Sequence, residues 1–404
     1  MHLFCRLAVL IAASQALWAD TSAVIPFARA AEADATNLSL DWIGESIAET
    51  IRDAIELRGG VSLARTEVDE AMARLTIRPR TMLTQASALK LGEALDAEQV
   101  VYGTFAFAPD KATNSQKQGS LQITARVLDR RKFTESAVFS ESGNLEDLPT
   151  LEAHLAWRTL ALLAPSLAPA EADFRSLRPS VRLDAQENYT RGLMTHDPGQ
   201  QERFFLTAVR LDPKFGHPAY ALGRINYERK DYRQAAQWLQ KIVSGDVHAH
   251  EAGFLLGLAL YQSGDFAGAQ AAFQTIVTSV PLSEVLNNLG AAQSRRKMLP
   301  QAIESFTKAR DGDPNDPAYH FNLGYALWRK GDYSAAADSF RAALDRQPDE
   351  EITILLLGMS LRKQAPRPGD AQLEALERLK TNFEERAYLQ LKALVGPSQK
   401  SPPK

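Results

Sequence analysis

The side chains that could support metal chemistry are few in this sequence. His248 and His250 lie two positions apart, with Asp246 and Glu251 beside them. Two imidazoles and a carboxylate are ligands that divalent transition metals accept. Two solvated polar residues explain the pair better, because it falls at a predicted loop or helix start. We therefore expect no metal and no cofactor.

Residues that could support acid–base chemistry are equally sparse. Asp41, Glu45 and Glu49 recur at four-residue steps and so share one face of a predicted helix. A solvated face explains them better than a catalytic carboxylate pair. The sequence has no phosphate-binding glycine loop and no Gly-x-Ser-x-Gly nucleophile elbow. These observations predict a protein that is not an enzyme.

Composition excludes two further classes of partner. The 404 residues carry a formal net charge of -3, and the basic residues are dispersed, so we expect no nucleic-acid partner. No apolar run reaches the roughly 18 residues that a spanning helix needs, so we expect no membrane span. The length is sufficient for two or three domains.

Residues 1–19 are typical of a cleavable signal peptide. His2 and Arg6 precede an apolar run at 7–17, and small residues near Ala19 suit cleavage. A buried first strand or helix is the alternative interpretation. Cys5 is the only cysteine, so cleavage would leave no thiol for a disulfide or a nucleophile. We expect a bacterial protein that is periplasmic or secreted.

The second half of the chain repeats itself. Leu-Gly pairs recur at steps of 34, 33, 34 and 34 residues, beginning at Leu222-Gly223 and ending at Leu357-Gly358. An alanine follows the glycine by twelve residues at 235, 269, 302 and 336. Such a period indicates stacked copies of one helical hairpin, because a single hairpin cannot bury its apolar face alone.

The clearest unit, residues 317–350, resembles the tetratricopeptide repeat family. Its characteristic positions are Leu323, Gly324, Ala336, Phe340 and Pro348. The resemblance implies an all-α superhelical solenoid that binds a protein or peptide on its concave side. We expect the array to span 183–394, with about five to six hairpins, degenerate end units and a capping helix at 382–394. The tail at 395–404 is predicted to be disordered.

The resemblance also places the first helix of each repeat on the concave surface. Aromatic and arginine side chains there are expected to be exposed, and these residue types are enriched in binding hot spots. The alternative is that the rings pack between repeats. The predicted groove residues are Tyr220, Arg224, Tyr227, Phe254, Tyr261, Asn287, Arg295, Phe321, Tyr325, Trp328, Arg329, Arg362 and Lys363. We expect them to hold an extended or helical peptide with some acidic character.

Residues 20–165 predict an α+β domain with helices against a mixed sheet. Apolar residues at three- and four-residue steps from Leu40 to Ile55 indicate a helix, and alternation at 100–107 and 121–127 indicates strands. The predicted order is strand, helix, strand, two helices, three strands, helix. Residues 166–182 are expected to form an extended, proline-containing linker.

This domain resembles the TolB amino-terminal-like domain. The matching stretches lie at residues 24–27, 41–45, 88–95, 101–104 and 124–129. The resemblance implies contact with other envelope components rather than catalysis. It concerns core and turn residues, so it bears on the fold more than on the function.

Together these patterns predict an α+β domain followed by an all-α repeat solenoid, which acts as an interaction scaffold of the bacterial envelope. Two alternatives stay open. The N-terminal domain is a sensor of a small ligand or envelope polymer, with the repeats as its output. Otherwise the chain is an accessory subunit of an envelope enzyme or secretion complex, with homo-oligomers through its sheet edge.

Overall fold

The computed structural model describes residues 20–30, 40–110, 119–166, 168–177, 181–365, 372–385 and 387–388. The chain divides into two compact units, one of Met1–Ser180 with Arg386–Lys404 and one of Val181–Glu385. The predicted signal peptide and the predicted disordered tail lie outside the described residues. No helix of the described ranges combines the length and the apolar character needed to cross a membrane.

The first unit contains a sheet and five helices in its described ranges. The elements are β1 (Thr21–Val24), β2 (Ala28–Arg29), α1 (Trp42–Glu56), β3 (Val61–Ser62), α2 (Arg65–Arg74), α3 (Gln85–Ala94), β4 (Gln99–Pro109), β5 (Gly119–Asp129), β6 (Thr134–Glu135), β7 (Phe139–Asn144), α4 (Leu148–Leu163) and α5 (Glu171–Leu177). Their order follows the prediction, with two short strands added. Helix α5 contradicts the prediction that the whole linker is extended.

The sheet is mixed, as its sequence pattern predicted. Strands β3, β1 and β4 are parallel, whereas β5 is antiparallel to β4 and to β7. On one face, Val100 and Tyr102 pack in a core with α2 and α3. Successive strand residues point to opposite faces. Phe105, which faces Gly44 of α1, therefore marks the other face.

The carboxylates of α1 are not a uniformly solvated face, which corrects the expectation. Glu45 is buried and accepts hydrogen bonds from Arg52 at 3.2 Å and from Arg65 at 2.8 Å. Arg52 is also buried and donates to the Val24 carbonyl at 3.1 Å. Two cations around one buried carboxylate compensate its lost hydration, so this network ties α1 to β1 and α2.

The second unit consists of paired helices. They are α6 (Leu183–Met194), α7 (Pro198–Leu211), α8 (Gly216–Glu228), α9 (Tyr232–Leu239), α10 (Ala249–Gln262), α11 (Phe266–Val277), α12 (Ser283–Arg295), α13 (Leu299–Gly312), α14 (Pro317–Lys330), α15 (Tyr333–Leu344) and α16 (Glu351–Leu361). Five consecutive hairpins precede α16. Aspartates 197, 231, 265 and 332 cap the second helix of four of them.

Repeat spacing places small residues where the two helices of a hairpin touch. A side chain at Gly257, Gly290 or Gly324 would meet the ring of Phe273, Phe306 or Phe340, respectively. Each ring belongs to the second helix of the same hairpin. The recurring Leu-Gly pairs therefore mark close helix contacts, and the rings fill the space that the missing Cβ leaves.

The sixth unit departs from the prediction. After α16 no second helix forms in the described residues, and 376–384 are extended instead. The capping helix predicted at 382–394 is absent at 382–384, although 385, 387 and 388 are helical and its remaining residues lie outside the described ranges. We call residues 372–385 the groove segment, because they lie across the first helices of the preceding repeats.

Candidate peptide-binding groove

Two asparagines bind the backbone of the groove segment. Asn322 of α14 donates to the Arg378 carbonyl and accepts from its N–H, both at 2.8 Å. Asn288 of α12 makes the same pair of bonds with Lys380, also at 2.8 Å. Each amide thus satisfies both polar groups of one residue, as a neighbouring strand would. Recognition of this kind requires an extended backbone and does not depend on the side chain.

A third asparagine holds the other two in place. Asn287 donates to the Arg378 carbonyl at 2.8 Å and accepts from Nδ2 of Asn322 at 2.7 Å. Asn287, Asn288 and Asn322 are completely buried. Buried amides cost free energy unless their polar atoms are paired, so this network fixes the rotamers that the segment requires.

The 34-residue period explains the spacing of these contacts. Tyr220, Phe254, Asn288 and Asn322 follow one another at steps of 34, so they occupy equivalent positions in α8, α10, α12 and α14. The segment crosses the helices in reverse order, and Phe383 stacks on Phe254 at 5.0 Å between ring centroids. Equivalent positions on successive repeats therefore contact successive parts of one extended chain.

One acidic side chain of the segment enters a built site. Glu377 has a fully buried side chain, and its Oε1 accepts from Ser294 Oγ at 2.6 Å and from Arg329 Nη1 at 3.1 Å. Burial and, after it, the Glu377 charge raise the pKa of Tyr325 to about 12. The same two causes raise the pKa of Tyr261. Both phenols are therefore neutral near pH 7.

Two basic side chains of the segment lie over aromatic rings. The Arg378 guanidinium is 3.6 Å from the Phe321 ring centroid and pairs with Glu350 at 2.7 Å. Lys380 lies 5.2 Å from the Tyr319 ring centroid and forms an ion pair with Asp316. These cations therefore combine ring contacts with carboxylate pairing.

The carboxyl end of the segment is held by α10 and α12. His250 bonds to Glu385 at 2.5 Å, and this bond raises the pKa of the imidazole against the opposing effect of burial. Glu284 accepts from the Glu384 N–H at 3.0 Å. The metal interpretation of His248 and His250 receives no support, since no group of three or more potential ligands is found in the described ranges.

An open pocket of about 640 Å³ lies beside the segment. Its walls include Tyr261, Gln262, Phe266 and Arg295 from the helices and residues 375, 377, 379 and 381 from the segment. The alternate segment residues face this pocket because side chains of an extended chain alternate in direction. The pocket leaves room beside the bound segment for a larger ligand.

The expectation that the predicted groove residues are exposed is wrong for half of the committed set. Tyr220, Phe254, Asn287, Phe321, Tyr325 and Trp328 are buried, with exposures between 0% and 6%. The groove segment and the end of α16 cover several of them. Tyr325 donates its hydroxyl to the Leu373 carbonyl, and Trp328 donates Nε1 to the Gln364 carbonyl, both at 2.8 Å.

The other predicted residues fall into different surroundings. Arg329 reaches Glu377, whereas Arg295 lies over the Phe266 ring at 4.5 Å and Tyr261 lines the pocket. Tyr227 packs against Tyr232. The side chains of Arg224, Arg362 and Lys363 are exposed.

Three contact residues were missed from the sequence: Asn288, Asn322 and Ser294. The two asparagines carried a usable pattern, because they recur at the repeat period where earlier units have aromatic rings. Ser294 carried none. The identity of the occupant was also missed, since residues 372–381 were assigned to a helical hairpin.

Part of the chain matches a known family model. The tetratricopeptide repeat model matches residues 220–284, 254–317 and 291–351. These ranges include α8 to α15, and so they contain the asparagines and aromatic rings of the groove. The chain therefore carries tetratricopeptide repeats, which bind protein or peptide partners.

Known proteins with similarity to the chain cover it only in part. Protein FlbA of Caulobacter vibrioides is 26% identical over 201 residues, which are 49% of this chain and 32% of that protein. The chain thus spans about a third of this relative's length.

Solved structures of repeat proteins are also similar. YrrB, described as a tetratricopeptide repeat protein with an unusual peptide-binding site, is 19% identical, with a TM-score of 0.40, and covers 43% of this chain and 91% of its own. A MamA structure from Desulfovibrio magneticus is 23% identical, with a TM-score of 0.37, and covers 41% of this chain and 95% of its own.

Proposed function

We propose that this protein is a non-enzymatic interaction scaffold whose repeat groove binds a protein or peptide partner in extended form. The observation that carries the proposal is the double hydrogen bonding of Arg378 and Lys380 by Asn322 and Asn288. Backbone recognition at alternate residues is how an added strand is held at a sheet edge. Here side-chain amides of helices supply the same donors and acceptors.

The groove suits binding because its polar groups are already oriented. Asn287 fixes the amide of Asn322, and Ser294 and Arg329 converge on one carboxylate. A surface whose rotamers are fixed before binding loses less conformational entropy when a ligand is captured. The tetratricopeptide repeat match supports the same class of function, since such repeats act as interaction modules.

The cellular setting is also a proposal. We place the protein in the periplasm or outside a bacterial cell, on the basis of its signal-like N-terminus and its single cysteine at position 5. The first unit is proposed to be a TolB amino-terminal-like domain that contacts another envelope component. Its mixed sheet and the order of its elements support this assignment.

Photo-crosslinking in cells tests the proposed function. A photoreactive amino acid replaces Gln262, an exposed residue that lines the open pocket, in the full-length chain. We expect it to capture a protein partner covalently, because a ligand in the groove passes within reach. The product is identified by mass spectrometry.

The matched control carries the same photoreactive group at Arg341. This residue is exposed on α15, the second helix of its hairpin. Crosslinking at 262 but not at 341 supports a groove ligand. Equal capture at both positions, or only an intramolecular product at 262, would contradict the proposal.

A further inference from the structure

The groove segment is itself a ligand of the groove, and its sequence shows which side chains the groove accepts. Its anchors are a buried carboxylate at position 377 and an aromatic ring at position 383, six residues later. Between them, the asparagines hold the backbone at 378 and 380. The spacing between the two anchors is thus fixed by the extended conformation, at roughly 3.3 Å per residue.

The acid subsite selects by charge. Arg329 donates to Glu377 Oε1 and also to Ser294 Oγ, so an uncharged side chain at this position would leave a partly buried guanidinium without its carboxylate. Loss of one member of a buried ion pair weakens binding because the remaining charge stays desolvated. The subsite therefore favours Glu over Gln, which has nearly the same shape.

The neighbouring subsites select cations and a ring. Glu350 and Asp316 present carboxylates to Arg378 and Lys380, next to the rings of Phe321 and Tyr319. Phe254, which is fully buried, offers one ring face for stacking by Phe383. Charges of alternate sign along the groove thus match the order acidic, basic, basic, aromatic in the segment.

We propose that the external partner presents an extended peptide with an acidic residue, basic residues one and three positions later, and an aromatic residue six positions later. The groove segment is the internal competitor of that peptide. This inference rests on the proposed function and adds the chemistry of the ligand and the way in which access is regulated. Tethering gives the segment a high effective concentration, so the partner binds only with the fraction of molecules whose groove is free.

The internal ligand is not a perfect one. The second carboxylate oxygen of Glu377, Oε2, is buried without a hydrogen-bond partner in the described part of the chain. An unpaired buried acceptor weakens docking. A competitor of this strength is displaced by a partner that binds through a longer stretch, including the open pocket beside the segment.

The test uses a fluorescent synthetic peptide with the sequence of residues 372–385 and the full-length chain. Fluorescence anisotropy measures its affinity for the native chain and for the Glu377→Ala/Phe383→Ala chain, in which only the segment is changed. We expect the changed chain to bind the peptide at least about tenfold more tightly, because its own segment competes less. Thermal melting by circular dichroism confirms folding, and the single change Phe383→Ala replaces the double change if folding fails.

Peptide variants test the chemistry of the ligand on the same chain. Glu→Gln at the position of Glu377 and Phe→Ala at that of Phe383 are each expected to weaken binding about tenfold or more. The matched control is Glu→Gln at the position of Glu374, an exposed residue, which is expected to leave the affinity unchanged.

Three results would overturn the inference. Equal affinity for a scrambled peptide removes the sequence preference, and equal affinity of both chains removes the internal competitor. Binding of the peptide to neither chain removes both. The proposed function fails separately, because it depends on a partner crosslinked at position 262, which is an independent measurement.

Discussion

At the scale of single residues, a side-chain amide is the closest match to a peptide group. Asn322 offers one acceptor and one donor to Arg378, and both bonds are 2.8 Å long. Neither an aspartate nor a leucine could replace it, since the first lacks the donor and the second lacks both groups. The residue type therefore determines that an extended backbone is bound.

Replacement of Asn322 by alanine is expected to loosen the groove segment. The half-buried Arg378 then loses a partner for its N–H and one for its carbonyl, and an unpaired buried group costs about 1–3 kcal/mol. Trypsin cleavage after Arg378 and Lys380 is expected to accelerate by roughly tenfold to a hundredfold, because proteolysis follows the open population. Gel electrophoresis or mass spectrometry of the fragments measures the rate.

The control for this change is Asn315→Ala. Asn315 is exposed in the turn before α14, so its replacement is expected to leave the cleavage rate unchanged. If Asn322→Ala is cleaved no faster than this control, the amide contacts do not hold the segment.

At the scale of elements, the difference between the fifth and sixth repeats lies in what faces the glycine. An ideal Cβ on Gly324 would lie 2.9 Å from the Phe340 ring, which belongs to the second helix of that hairpin. Gly358 occupies the equivalent position, yet a Cβ there meets only the Arg362 guanidinium, at 3.4 Å. Helix α16 lacks the partner helix that would require glycine.

The same substitution at these two positions is expected to have opposite effects. Gly324→Ala forces a packed ring to move, and overpacking of this kind lowers the free energy of unfolding by about 1–3 kcal/mol. Gly358→Ala meets no such obstacle, and the higher helix propensity of alanine raises it by up to about 1 kcal/mol. Urea unfolding followed by circular dichroism measures both, and similar destabilisation by the two changes would contradict this view of α16.

At the scale of the whole molecule, the chain forms two compact units with separate cores. The helices of Val181–Glu385 enclose rings such as Phe306 and Phe340, whereas the sheet of the first unit packs on residues such as Val100 and Phe105. Cooperative opening follows such contiguous packed regions. A change in one core is therefore expected to raise hydrogen exchange chiefly in its own unit.

Two glycine substitutions test this separation. Gly324→Ala is expected to accelerate amide exchange within residues 181–365 but not in the sheet. Gly103→Ala, where a Cβ would collide with the Thr124 carbonyl and the Phe27 ring, is expected to do the reverse. Hydrogen exchange measured by mass spectrometry resolves the two regions. Acceleration in both units by either change would show that they open together.

Much of the architecture could be predicted because it depends on local patterns. The five Leu-Gly pairs repeat at about 34 residues, and the helices lie where they indicate. Alternation at 100–107 and 121–127 gave β4 and β5, and Thr84 caps α3 as expected. The candidate site was predicted only in outline, because Arg329 and Phe321 were identified whereas Asn288 and Asn322 were not.

The sequence by itself determined the repeat helices and the alternating strands, because a periodic apolar face must be buried by a neighbour. Only the tertiary structure decided the state of the groove. Residues 372–385 have a composition that suits a helix, but asparagines at 288 and 322, far away in sequence, hold their backbone in extended form. Contacts at a separation of 56 and 92 residues leave no local pattern, so the segment that covers the groove becomes visible only when the chain is folded.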